Sequence, residues 1–241
     1  MDYFIEVLRK FSLEDALKLE EIDEQYLALK DLYYNIKDPE LFIKLSITNS
    51  LLSFQLIYTG EKFWRIFSDY FSNKRNINLC LDFIDFIEKY NPRFKEIKIK
   101  RLNKICSWID NVNLLDYKND LKKFNIDLAK FMNQKEDDKT IVFSVKIYGY
   151  CLRILGYKII FPFDIFIPID NRIGKISKDK KFWWDLSKKL NIPLLHLDSI
   201  IWISYGIDEN KLKGLNGDLR EKVIELKNLL KNIINGSSSR R

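Results

Sequence analysis

Apolar residues recur at spacings of three and four through most of this 241-residue chain, which is the period of helices that bury one face. From Phe11 to Asn35 the positions Leu13, Leu17, Ile22, Leu29 and Leu32 keep that period across more than one helix. Ser12 is placed to cap the first of them, and Asp15, three residues on, completes an acidic variant of the capping box. Asp38-Pro39 opens the next helix, because proline at the first helical position removes only an amide that has no partner anyway. Gly60 separates a helix over residues 41–58 from one over 61–71. Further helices are expected over about 76–90, 93–109, 119–133, 139–155, 172–190, 195–205 and 217–234. With only eight glycines and five prolines to interrupt it, the chain reads as mostly helix.

One stretch breaks the pattern. Gly156 to Asp170 is densely apolar but carries Pro162 and Pro168, and each proline lacks a backbone donor and restricts the residue before it. No second strand-rich region exists to pair with it, so it is expected to cross the core as an ordered connection. The prediction is an all-α chain in two lobes. Residues 1–235 form one domain, with a hairpin and helix at about 119–155 and the crossing at 156–170 dividing an N-terminal bundle from a second one. Residues 236–241 (Gly-Ser-Ser-Ser-Arg-Arg) are expected to be a flexible tail.

Composition narrows the class. Hydrophobic residues make up 46% and charged residues 31%, the balance of a globular protein with ample core. No apolar run approaches the roughly 20 residues of a membrane span, and the start has no signal-peptide layout, so an intracellular protein is expected. A net charge of +7 and a pI near 9.1 fit a polyanionic partner. Cys80, Cys106 and Cys151 form no C-x-x-C pair, and there is a single histidine, which argues against a zinc site or an iron–sulfur cluster. The three are expected to be free thiols in apolar surroundings, and no metal or organic cofactor is called for.

Three blocks carry candidate chemistry. In Lys139-Thr-Ile-Val-Phe143-Ser-Val-Lys146, two amines and a ring fall on one helical face. Lys139 follows three acids, one of which can cap the helix it opens. The helix dipole there favours the neutral amine that a nucleophile needs, while the preceding acids work the other way and leave the net shift open. Phe143 suits either core packing or stacking on a base. Lys146, in an apolar run, either snorkels to water or donates to a base or phosphate. The second block, Phe161-Pro-Phe-Asp-Ile-Phe-Ile-Pro-Ile-Asp170-Asn-Arg172, ends in a rigidly held carboxylate that suits helix capping or stabilising positive charge on a sugar. In Ile192-Pro-Leu-Leu-His196-Leu-Asp198-Ser-Ile-Ile-Trp202, an acid and an indole lie one turn apart. Asp198 needs a donor, whether a salt-bridge partner or a purine's N1–H and N2–H₂ edge. His196 reads as a structural histidine.

Taken in this order, Lys139, the Phe-Pro-Phe-Asp crossing with Asp170, and the Asp198/Trp202 pair resemble the archaeal GO glycosylase family, a divergent branch of the helix-hairpin-helix DNA glycosylases. The resemblance is strongest over residues 139–202 and extends more weakly to about 20–205. It implies a two-lobed helix-hairpin-helix architecture and an enzyme that excises 8-oxoguanine from double-stranded DNA and then cleaves the strand by β-elimination. It further implies Lys139 as Schiff-base nucleophile and Asp170 as its acidic partner. Phe143, Lys146, Asp198 and Trp202 would line the base pocket, with Trp64 and Gln25 as further pocket positions and Gln55 as a rival to Gln25. No cofactor is implied, and a monomer is the default. The Gly-rich hairpin of most helix-hairpin-helix glycosylases is absent around 125–138. A glycosylase for another damaged base, or a non-catalytic helical DNA-binding module, are the alternatives.

Overall fold

The computed structural model describes residues 2–236. Among them the chain forms fourteen α-helices and one 3-10 turn and no strand, the all-α class expected. The helices are α1 (Asp2–Leu8), α2 (Leu13–Glu21), α3 (Glu24–Ile36), α4 (Pro39–Leu52), α5 (Gly60–Ser72), α6 (Leu79–Tyr90), α7 (Lys95–Ile109), α8 (Leu121–Met132), α9 (Lys139–Ile154), α10 (Ile173–Ile176), α11 (Lys180–Leu190), α12 (Leu194–Gly206), α13 (Glu209–Gly214) and α14 (Gly217–Gly236). The expected tail lies outside the described residues from Ser237 onward; Gly236 ends α14.

The chain divides into two compact units. One is the contiguous stretch Glu24–Ile160; the other joins the residues up to Asp23 with those from Phe161 onward. The second boundary falls inside the proline-containing crossing.

In the contiguous unit, α4 is buried nearly all round, and Ser50 Oγ donates to Ser144 Oγ of α9 at 2.7 Å. Asp38 accepts from Leu41 N at 3.0 Å with Pro39 behind it, the expected opening. The helix then stops at Leu52 rather than near 58. Ser53 leaves the helical conformation, and Gln55 has a left-handed φ of 49°. The loop that follows is gripped from below by a fully buried lysine. Lys98 Nζ donates to the backbone and side-chain oxygens of Asn91, sits 5.1 Å from the Phe54 ring, and Asn91 Nδ2 in turn donates to Leu52 O. Burial pulls the Lys98 amine down to about 8.

α6 and α7 correct one expectation. Cys80 and Cys106 are joined by a disulfide with Cα atoms 6.1 Å apart, so only Cys151 is free, and it is buried. A spacing of 26 residues gives no local signal of pairing; the antiparallel return of α7 along α6 brings the two together.

In the discontinuous unit, Ser12 and Asp15 form the reciprocal capping box, at 2.9 and 3.1 Å. Phe4, Val7, Leu8 and Leu19 pack with Leu197, Ile200, Val223 and Leu226 in one core. The helix expected over 172–190 is two helices. Ser177 is extended, and Asp179 caps the second by accepting from Lys181 N. His196 and Glu20 are both fully buried, with Nδ1 and Oε1 2.8 Å apart, and the Phe161 N–H donates to Nε2 at 3.1 Å. Because Nε2 is an acceptor there, the imidazole is neutral and donates from Nδ1 to Glu20. His196 is therefore structural, and it pins the start of the crossing.

Candidate active site

The hairpin leading into α9 is built without glycine. α8 ends at Asn133 in a left-handed conformation, φ 53°, a geometry that asparagine tolerates better than most residues. Gln134 N then closes back on Ala129 O at 2.9 Å. Side chains hold the rest of the turn. Arg101 from α7 donates through Nη2 to Gln134 Oε1 at 2.6 Å and to Thr140 Oγ1 at 3.3 Å. Asn125 Nδ2 donates to Glu136 O, and Lys122 bridges to Glu136 at 2.7 Å. Burial lowers the pKa of the Arg101 guanidinium, an effect opposed by the charge of Asp138. Asp138 occupies the N-cap of α9, yet its carboxylate does not cap the helix. It turns back into the hairpin and accepts from Lys135 N at 3.0 Å and from Gln134 Nε2 at 3.3 Å.

Lys139 is the first residue of α9 and is exposed. Among the described residues none makes a hydrogen bond or a salt bridge to its amine. Phe143, one turn on, is half-buried, with its ring 6.1 Å from that of Trp64 in an edge-on contact. Lys146 is 2% exposed and lies 5.8 Å from the Tyr150 ring, so it does not snorkel to water. Tyr150 packs edge-on against Tyr26 at 5.4 Å, and Tyr26 is the neighbour of the buried Gln25. The contiguous unit thus gathers Lys139, Phe143, Lys146, Trp64 and Gln25 along α9 and the two helices, α3 and α5, that supply its aromatic neighbours. Gln55, the rival to Gln25, is exposed in the loop after α4.

The other three predicted residues belong to the discontinuous unit. Asp170 is half-buried, and its Oδ1 accepts from the backbone of Arg172 at 2.8 Å and of Ile173 at 2.9 Å. It caps the turn into α10, and Oδ2 takes part in neither bond. Proline-fixed backbone before it and two amides after it hold the carboxylate in one orientation. Asp198 and Trp202 both lie on α12, the acid buried and the indole half-buried. The Arg172 guanidinium lies on Trp202, 3.7 Å from the ring centroid, and 4.7 Å from that of Tyr205.

Sequence reasoning missed Arg101 and Arg172. Arg101 sits mid-helix, 38 residues before the nucleophile candidate, and no local pattern marks it. Arg172 stands beside Asp170 in the sequence, but its stacking on α12 is a tertiary contact. In the described residues no group of three or more histidine, cysteine, aspartate or glutamate side chains is placed to hold a metal ion.

Comparison with known proteins gives the chain's family. A family model described as AGOG, N-glycosylase/DNA lyase, matches residues 5–234. The N-glycosylase/DNA lyase of Nanoarchaeum equitans is 44% identical over 83% of this chain and 89% of its own length. That of Methanococcus maripaludis is 40% identical over 86% and 91%. The crystal structure of Pa-AGOG, an 8-oxoguanine DNA glycosylase from Pyrobaculum aerophilum, in complex with 8-oxoguanosine, superposes with a TM-score of 0.78. It has 28% identity and covers 91% of this chain and 94% of that one. The chain belongs to the AGOG family of N-glycosylase/DNA lyases.

Proposed function

We propose that this protein excises 8-oxoguanine from double-stranded DNA and cleaves the strand by β-elimination, acting as a monomer, with residues 1–235 as its one catalytic domain. The observation that carries the assignment of the nucleophile is the state of Lys139. It is an exposed amine at a helix start, without an ion-pair partner among the described residues. Lys146, the other lysine of the motif, is buried within the apolar run of α9. A nucleophile must be neutral and accessible, and pairing with a carboxylate would favour the charged form.

The chemistry follows in order. The damaged nucleotide leaves the base stack, at a cost of a few kcal/mol. The neutral amine of Lys139 forms a bond to C1′ as the bond from C1′ to the base breaks, and the base leaves with the bonding electrons. Asp170, fixed by two backbone amides, stabilises the positive charge that develops on the sugar. Ring opening gives the imine, with Lys139 nitrogen doubly bonded to C1′. The imine acidifies the C2′ hydrogen, and loss of that proton expels the 3′ phosphate oxygen. Asp198 accepts from N1–H and N2–H₂ of the guanine edge. Phe143, Trp64 and Trp202 offer ring faces or edges, and Lys146 and Gln25 supply polar contacts to the base. Its relatives' names and the 8-oxoguanosine held by the Pyrobaculum protein support this substrate.

The test is incubation of the protein, and of its Lys139→Gln and Lys146→Gln variants, with duplexes bearing one 8-oxoguanine, with and without borohydride. Lys139→Gln should lose base release, incision and trapping, while Lys146→Gln should still trap on an abasic duplex. The reverse pattern would assign the nucleophile to Lys146. Excision without any trapping would make water the nucleophile.

A further inference from the structure

The Arg172 side chain has no part in the steps above, yet its placement is unusual. Its guanidinium carbon lies over Trp202, 3.7 Å from the ring centroid, and over the Tyr205 ring at 4.7 Å. Its own backbone N–H is held by Asp170 Oδ1. One residue therefore ties the carboxylate proposed to stabilise the sugar to the indole proposed to meet the base. Contact with two rings restricts the guanidinium, and arginine loses little by lying against an aromatic face. It also covers one face of Trp202, which leaves only the other for a base.

Stacking does not satisfy the donors at the rim of that plane. Arg172 Nη1 is buried and has no hydrogen-bond partner. A charged donor out of reach of solvent and without an acceptor is a costly arrangement, and groups left in that state need a reason. Three features coincide here: a cation held against two rings, a buried N–H on it without an acceptor, and a place beside both Asp170 and Trp202. We infer that Arg172 is a substrate-binding residue, whose Nη1 donates to an oxygen acceptor of the extruded nucleotide. That oxygen is either a carbonyl of the damaged base or a phosphodiester oxygen beside it. Bound DNA completes the hydrogen bonding that the free protein leaves open. This inference rests on the assignment of Asp170 and Trp202 to the DNA site.

The test uses the full chain and its Arg172→Gln and Arg172→Lys variants. Three measurements are made: calorimetric binding of 8-oxoguanosine, single-turnover excision from an 8-oxoguanine duplex, and the same excision with a neutral methylphosphonate at the lesion's flanking phosphates. The nucleoside has no phosphate. If the acceptor is a base carbonyl, Arg172→Gln should bind it at least ten-fold more weakly. If the acceptor is a phosphate, nucleoside binding should survive. Excision should then fall at least ten-fold in Arg172→Gln, and the methylphosphonate should slow the unaltered protein but not the variant. Arg172→Lys keeps the charge without the stacked fork and should recover only part of either loss. Wild-type behaviour of Arg172→Gln in all three measurements would overturn the inference. So would failure of both variants to fold, because Arg172 would then be a structural residue. Failure of the unaltered protein to release 8-oxoguanine would instead remove the reading on which the inference rests.

Discussion

Breaking the Cys80–Cys106 bond should destabilise the unit that carries Lys139 by an amount its loop length sets. The two cysteines lie 26 residues apart, and the segment between them runs from the start of α6 through most of α7. Cross-linking a loop of that length removes about 12 cal/mol/K from the entropy of the unfolded chain, or about 3.5 kcal/mol at 25 °C. For a protein of this size, that corresponds to a fall in unfolding temperature of roughly 7–14 °C. The assay is thermal unfolding followed by circular dichroism, comparing the oxidised protein, the protein in excess reductant, and the Cys80→Ser/Cys106→Ser double variant. Thiol titration of the unfolded, unreduced chain provides the control, and one thiol, that of Cys151, should react. The reduced protein and the double variant should melt together, well below the oxidised form. A single reactive thiol combined with coincident melting of all three would refute the reasoning, since the bond would be present but without effect on the unfolded ensemble.

Other outcomes follow from the site and its surroundings. Asp198→Ala should reduce excision of 8-oxoguanine far more than incision at a pre-formed abasic site, because only the first substrate presents a guanine edge; single-turnover rates on the two duplexes check it. The free protein's affinity for duplex DNA should fall linearly on a log–log plot against salt, equally for damaged and undamaged duplex, as cationic side chains displace counterions; anisotropy titrations at several salt concentrations measure the slope. Burial holds the Lys98 amine down at about 8 in the folded chain, below its ordinary 10.5. Between those values the unfolded chain holds the extra proton, so stability should rise with pH there and level off at its lowest below 8, where both states are protonated. Lys98→Met should flatten that rise, by on the order of 2 kcal/mol, in denaturant titrations at pH 7.5 and pH 10.

Local rules made much of this protein legible. Ser12/Asp15 and Asp38-Pro39 announce helix starts through bonds made within four residues, and both are where the periodicity put them. Two prolines in a dense apolar run mark 156–170 as non-helical for equally local reasons. Boundaries were lost where a distant group decides them. The apolar run after Leu52 has no breaker of its own, and the helix ends there beside the Lys98–Asn91 clamp, which comes from the other side of α6. Likewise, Asp138 reads as a cap from sequence because acids before a helix usually cap. Here two hairpin amides claim its carboxylate first. The disulfide, the Arg101 brace and the Arg172–Trp202 stack are all contacts between helices, which no periodicity encodes.

The division of the chain also sets an order of events during synthesis. Everything needed for the unit that carries Lys139 lies in one unbroken stretch, Glu24–Ile160, which can close its core while the remainder is still being made. The first two helices leave the ribosome earlier still, but, in the core that holds Phe4, Val7, Leu8 and Leu19, α1 packs on α14 and α2 on α12. At rates of ~5–20 residues per second, these apolar faces wait roughly 10–40 s for them. During that interval α1 and α2 are the part of the nascent chain most in need of a chaperone.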